Sequence, residues 1–467
     1  MHTPNRYLVA PAILPPLDPE FRPASLAWPS FLRAAQTPAA IAIEQSDGSI
    51  FHHHFSVLAP SEPGAEATNA YFVERLAKFL LWAWGGWRLH IAGPPESAES
   101  LVRHYRDQAP GQFDSETIGR RIYGQPIEVV AVGTVAELPV AQSTTAPLGR
   151  HWDGCRIGFD LGGSDRKVAA TIDGRCVFSE ETVWDPYFQP DPQYHFDGVM
   201  DSLRKAASHL PRVDAIGGSA AGVYVNNRVR VASLFRGVSP ELFESRVKDL
   251  FLELRAAWGG IPFEVVNDGE VTALAGSMSL GKNAVLGLAM GTSTAAGFVT
   301  PDGAITSWLN ELAFVPIDYR NNAPKEEWSG DIGVGAQYFS QQAVGRLLEA
   351  AGIEVDPQLK LPERLKHVQG LMAAGDERAV RIYETLGVYL GHGLAQFSAF
   401  YPFRHVLVLG RVLTGPGGEL LLKWARQVLE TEFPDLASRV SLHLPGESDR
   451  RHGQAIAAAS LPALVKE

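Results

Sequence analysis

Cysteine is nearly absent. Cys155 and Cys176 are the only two in 467 residues, too few for a disulfide framework or a zinc ribbon. A structural zinc site needs four ligands, usually Cys and His, so no structural zinc is expected. Long apolar runs are missing too. None reaches the ~18 residues of a transmembrane helix, so no membrane partner is expected. The opening MHTPNRYLVAPAILPPLDP lacks the basic, apolar and small-residue zones of a secretory signal. Together with the scarce cysteine, this points to the cytoplasm. Positive charge is short as well: the net charge is −11, with no basic cluster. That argues against nucleic acid and anionic membrane as partners. The excess of acid serves solubility.

What is present is a regular alternation. Residues 1–35 are proline-rich and read as an extended arm. Residues 36–150 alternate strands and helices and end in a polar linker. Two further units follow, over 151–275 and 276–467. Asp173-Gly174 is a hairpin turn between two strands. Ser239-Pro240-Glu241 is a helix start, with Phe243, Val247, Leu250 and Leu254 on one face. The class is α/β with mixed sheets.

Self-comparison finds three matches in order. Ala40 to Glu44, running on to Asp47-Gly48, resembles Val168 to Ile172 running on to Asp173-Gly174. WRLHIAG at 87–93 resembles RVDAIGG at 212–218. Tyr123 to Pro126 leading into IEVVAV resembles Trp258 to Pro262 leading into FEVVND. Residues ~36–135 therefore read as a degenerate copy of the lobe at 153–275. Chance likeness of short α/β segments is the competing explanation. The copy has no glycine-rich first strand, and Val132 stands where Asp268 stands.

Four segments carry residues suited to chemistry. In the first, Asp160 ends a strand, Gly162 and Gly163 follow, then Ser164 and Lys167. Glycines let backbone N–H groups approach a phosphate, and Asp160 can hold a hydrated Mg²⁺. In the second, a strand delivers Asn267 and Asp268 to a helix start. Asp268 can take a proton from a hydroxyl, and Asn267 can bond neighbouring hydroxyls. Capping the helix is the plainer role for either. In the third, Gly291, Thr292 and Ser293 offer open amides and hydroxyls to phosphates. In the fourth, Gly410 and Arg411 follow a strand, where a glycine can admit an adenine ring. Each alone also reads as an ordinary turn. His52-His53-His54 suggests metal less than it first does, because successive side chains on a strand face opposite ways.

The order and spacing of the four resemble the actin-like, hexokinase-type ATPases, and among them the ROK (repressor, ORF, kinase) sugar kinases. The resemblance covers about residues 153–467. GFDLGGSDRKVAATIDG resembles that family's first phosphate segment, VVNDGEVTALAG its catalytic aspartate segment and GTSTAAGFVTPDG its second phosphate segment. Glu311, in Asn310 to Phe314, matches the glutamate of its sugar-binding E-x-G-H motif.

The resemblance implies two RNase H-like lobes around a cleft, with the degenerate lobe in front. It implies ATP and Mg²⁺ at Asp160, Gly162, Gly163, Ser164, Lys167, Gly291, Thr292, Ser293, Gly410 and Arg411. It implies a sugar at Asn267, Asp268 and Glu311, with Asp268 as base, and a homodimer.

The sequence also departs from the family. Phe314 replaces the motif histidine, the cysteine-rich zinc motif is missing, and the loop at 217–222 has lost its proline. Arg411 stands where glycine is usual. No helix-turn-helix precedes the core. These departures leave a non-catalytic sugar or nucleotide sensor as the alternative to a kinase.

Overall fold

The computed structural model describes residues 5–144, 147–445 and 453–464. Its first sheet has strands β1 (Thr37–Glu44), β2 (Ile50–Val57), β3 (Arg88–Ala92) and β4 (Glu128–Val132) in the order β2-β1-β3-β4. The second has β5 (Cys155–Leu161), β6 (Asp165–Ile172), β7 (Arg175–Val183), β8 (Ala215–Ala220) and β11 (Phe263–Asn267) in the order β11-β8-β5-β6-β7. A small hairpin, β9 (Val223–Val225) and β10 (Arg228–Val231), stands beside it. The last sheet holds β12 (Val285–Met290), β13 (Thr294–Val299), β14 (His405–Leu409) and β15 (Ser441–His443) in the order β13-β12-β14-β15.

The first two sheets share a topology. In the second, β6 and β7 are an antiparallel hairpin, β5 is antiparallel to β6, and β5, β8 and β11 run parallel. Take out β5 and the order is β7-β6-β8-β11, with β6 opposed to β8. That is the order and the set of directions in the first sheet, where β1 meets β3 directly and antiparallel, and β3 and β4 run parallel. The missing strand is the one that carries Asp160 and leads into the paired glycines.

The arm is not simply extended. It carries an 11-residue helix, Ala24–Ala34, whose Ala27, Trp28 and Phe31 are buried. Pro23 and Pro29 hide it in the sequence, since proline inside a helix removes a hydrogen bond. Here Pro23 is only the N-cap, and burial of the aromatic face outweighs the cost at Pro29. The division expected at 275 falls inside the helix Asp268–Leu280. That helix packs on β12, β13 and the C-terminal helix Gly453–Ala459, so the two later sheets meet across a helix and not at a linker.

The longest element of the N-terminal region is the helix Ala65–Trp84. It is buried on almost every side, as an all-round apolar helix must be. Its Phe79 stacks on Phe400 at 4.0 Å, and Trp82 lies 4.3 Å from Phe314. One continuous apolar core therefore runs from Tyr7 and Phe72 to Tyr319, Phe397 and Leu442. The β5–β8–β11 lobe has a core of its own, around Phe159, Leu203, Phe251 and Phe263.

The helix Gly453–Ala459 lies flat on the other face of the second sheet. A Cβ on Gly158 would stand 1.8 Å from the Ala455 carbonyl, and one on Gly217 would stand 1.7 Å from that of Ala458. Both atoms are backbone and cannot swing away. Gly217→Ala is expected to cost ~1–3 kcal/mol by overpacking, read as a lower urea midpoint. Among the described residues, no helix is long and apolar enough to cross a membrane.

Candidate active site

The four chemical segments all lie at the C-terminal ends of strands. Asp160 is next to last in β5, Asn267 ends β11, Met290 ends β12 and Leu409 ends β14. Close backbone approaches bring these ends together. β8 joins the first two, pairing Ser219 with Asp160 and Ala220 with Asn267. Gly269 and Gly297 join the second to the third: a Cβ on Gly297 would stand 2.3 Å from the Gly269 carbonyl. Gly410 (φ +106°) joins the fourth to the third, because a Cβ there would stand 2.5 Å from the Met290 carbonyl. In open α/β sheets, ligands bind outside the carboxyl ends of the strands.

Asp160 is buried and held on one side. Ser219 Oγ donates to its Oδ1 at 2.6 Å, and Lys167 Nζ lies 3.8 Å from Oδ2. Lys167 is closer to Asp165, at 2.9 Å. Burial and the charge of Asp165 push the Asp160 carboxyl up, against Ser219 and Lys167. Gly163 lies under Tyr187, whose hydroxyl would stand 2.0 Å from a Cβ there. Trp184 donates to the Gly162 carbonyl at 2.8 Å. The two aromatics pin the glycine turn. The Ser164 hydroxyl donates to Asp165.

Asn267 is the N-cap of the helix Asp268–Leu280. Its Oδ1 accepts from Gly269 N at 2.7 Å, and its amide donates to the Gly222 carbonyl at 2.6 Å. The plainer capping role is therefore filled, and the side chain is fixed before any ligand arrives. Asp268 is free of that duty. Burial first, then the charge of Asp160, push its carboxyl up to about 6. Glu311 is pushed up to about 7 by burial and then by Asp268. Thr292 and Ser293 are exposed at the tip of the β12–β13 turn.

Two cavities open among the described residues of these elements, and neither is lined by Asp160 or Asp268. One, of about 220 Å³, is lined by Asn267, Glu270, Glu311, Trp308 and the β9–β10 hairpin. The other, of about 1140 Å³, is lined by Gly410, Arg411, Gly415, Thr272 and Gly276. Asn267 and Glu311 thus share the smaller cavity, and Gly410 and Arg411 share the larger.

Several residues in the site carried no sequence signal. Ser219 orients Asp160. Glu270 is buried, and that burial pushes its carboxyl up to about 8. It accepts from Phe298 N at 3.4 Å and from the Asn310 amide. Asn310 is held at φ +54°. Gln45, Asp47 and Tyr123 line the smaller cavity although they belong to the N-terminal region. Only Glu270 had a cue, sitting two residues after the motif aspartate.

No protein-family profile and no curated protein matches the sequence. Several solved structures resemble the fold. One is a ROK hexokinase from Thermus thermophilus, 20% identical over 65% of this chain and 96% of that one, with a TM-score of 0.49. Another is a ROK family glucokinase from Streptomyces griseus in complex with glucose and AMPPNP. It is 19% identical over 66% and 98% of the two chains, with a TM-score of 0.45. A ROK family transcriptional regulator, a homologue of the E. coli MLC protein, is 18% identical over 66% and 78%, with a TM-score of 0.47.

Proposed function

We propose that this chain is an ATP- and Mg²⁺-dependent kinase that phosphorylates a sugar hydroxyl. One observation carries the reading. Asp160 raises the pKa of Asp268, and Asp268 raises that of Glu311, so the three carboxyls lie within electrostatic reach of one another beside glycine turns at the strand ends. Such a chain of like charges is a common mark of a functional site.

The residues fit the groups the reaction requires. Asp160 has one oxygen fixed by Ser219 and a charge that Lys167 only partly offsets, which suits a hydrated Mg²⁺. Bound there, Mg²⁺ would neutralise charge on the phosphates. Gly162, Gly163, Gly291, Thr292 and Ser293 would meet the phosphates with backbone N–H groups and hydroxyls. Gly410 and Arg411 would border the base. The acceptor sugar would lie against Glu311, with Asn267 holding the turn beneath it. Asp268 takes the proton from the acceptor hydroxyl as its oxygen bonds to the γ-phosphorus. The bond from that phosphorus to its bridging oxygen then breaks and ADP leaves.

The active form of Asp268 is the carboxylate. Its pKa is raised from 3.8 to about 6, so activity is lost as pH falls through that value. A Mg²⁺ ion at Asp160 would cancel part of the shift. The expected kcat/KM profile has an acid limb at or below about pH 6. A profile flat to pH 4 would remove Asp268 from the base role.

A sugar or nucleotide sensor is the second reading, and Phe314 favours it. Its ring packs against Trp82 and offers a ligand no polar group. A coupled ADP-release assay over a panel of hexoses and polyols separates the two. Transfer to any of them supports the kinase. A sugar that binds without transfer supports the sensor.

A further inference from the structure

Gln45 ends the β1 side of the N-terminal hairpin and is only 3% exposed. Its amide donates to the carbonyls of Trp84 at 2.8 Å and Ser307 at 3.1 Å, and its Oε1 accepts from Ser307 Oγ at 3.1 Å. These side-chain bonds therefore go to two places: the C-terminus of the helix Ala65–Trp84, and the segment that leads into Glu311.

The helix end makes the same connection. A helix leaves its last four carbonyls without intrahelical partners. Here Leu81 O accepts from Gly85 N, as in an ordinary cap. The other three accept from one passing segment. Leu309 N donates to Trp84 O at 3.3 Å, Asn310 N to Ala83 O at 2.9 Å, and Glu311 N to Trp82 O at 2.9 Å. Glu311 is thus hung by its own backbone from an N-terminal helix.

The side-chain contacts agree. Tyr401 donates to Asn310 Oδ1 at 2.9 Å, and the Asn310 amide turns to Glu270. Among the described residues no side-chain bond of this kind holds the Glu311 carboxyl, and Glu311 lines the same cavity as Asp47 and Tyr123. Gly85 (φ +79°) keeps that wall tight. A Cβ there would stand 2.0 Å from the Tyr123 hydroxyl and 3.1 Å from Leu309 Cβ.

We infer that the N-terminal region is part of the acceptor site: Gln45 is a positioning residue that holds the 307–311 segment, and with it Glu311, against the substrate. The inference rests on the sugar-kinase reading for its substrate, but the hold itself is a property of the chain. Gln45 lines the smaller cavity and not the larger one beside Gly410 and Arg411, whose lining residues all come from 272 onward. Its loss therefore falls on the acceptor and leaves ATP alone.

Gln45→Met keeps the volume and removes all three bonds. A lost buried hydrogen bond and its stranded partners weaken binding by about tenfold. The acceptor KM is expected to rise by about that factor, with the ATP KM unchanged and kcat at saturating acceptor within about twofold. Amide hydrogen exchange, followed by mass spectrometry, is expected to quicken in the peptide covering 307–311 and not in 156–161. Gln45→Glu keeps the acceptor oxygen for Ser307 but turns a second acceptor oxygen on the Trp84 and Ser307 carbonyls, so it should be no milder than Gln45→Met. Unchanged exchange at 307–311 overturns the inference. So does an ATP KM that rises in step with the acceptor KM. If wild type phosphorylates no acceptor, the sugar-kinase reading fails, and the exchange comparison alone still decides whether Gln45 holds the segment.

Discussion

Asp268→Asn is expected to lower turnover by ~10²–10⁴-fold, the usual worth of a general base. The amide keeps the shape and one accepting oxygen but cannot take the proton. The fold should tolerate it, because Asn267 and not Asp268 caps the helix. The change also removes a buried charge that burial and Asp160 already disfavour, so stability should hold or rise. Nucleotide binding should change little. Asp160→Asn should act differently, weakening Mg²⁺-dependent nucleotide use while leaving acceptor binding in place. Val132→Ala, at the matching strand end of the first sheet, should leave turnover unchanged. The check is steady-state kinetics with nucleotide titration on each variant. Full sugar-kinase activity in Asp268→Asn would remove the base assignment.

Lys78→Met is expected to cost ~3–5 kcal/mol of stability, the usual result of breaking a buried ion pair from one side. Lys78 is fully buried in the helix Ala65–Trp84. Its Nζ meets both oxygens of Asp114 at 2.9 Å and Asp331 Oδ2 at 3.1 Å. Burial works against the ammonium, and the two carboxylates override it and keep it charged. Arg75 joins from the same helix, meeting Asp331 at 3.1 Å and Glu74 at 2.5 Å. Burial opposes the Asp331 carboxylate in turn, and Arg75 and Lys78 hold it well below the usual range. Removing Lys78 strands Asp114, which keeps, among the described residues, the indole N–H of Trp82 at 2.9 Å. Urea denaturation should show the loss as a lower midpoint. The double change Lys78→Met with Asp114→Leu should recover much of it, since apolar residues of similar volume replace buried pairs at little cost. A double variant no better than the single one would show that Lys78 acts through packing.

The segments at the strand ends were legible because their signals are local. A glycine pair after an aspartate, or an Asn-Asp at the foot of a helix, states its geometry within a few residues. The helical face Phe243, Val247, Leu250 and Leu254 was legible too: the last three are buried and Phe243 packs half-buried against the same core. The helix itself is broken, with a π-helical stretch over Phe243–Val247. Periodicity reports which side is buried and not whether the hydrogen bonds run unbroken. Gln45 left no trace. Its partner Ser307 stands 262 positions away, and no short pattern encodes such a meeting. Asn310 is alike: it was read only as a neighbour of Glu311, while its positive φ and its bonds to Tyr401 and Glu270 come from packing. Glu326, in a charged stretch with no apolar pattern, is buried and accepts from Ser329 N, again through contacts local pattern does not carry.

The two separate cores bear on how this chain leaves the ribosome. The core around Phe159 and Phe263 draws on residues 157–265 alone, so it can close as soon as that stretch has emerged. The larger core begins at Tyr7 and is not complete until Leu442. At ~5–20 residues per second, the helix Ala65–Trp84 therefore waits tens of seconds for Phe397 and Phe400 to arrive. During that interval its Phe79, Leu80, Leu81 and Trp82 have no partners from the later sheet. The middle of the protein is thus the first part able to fold, and the segment made first is among the last to be covered. A nascent chain stalled near residue 300 should resist protease over 155–267 and be cut within 65–84.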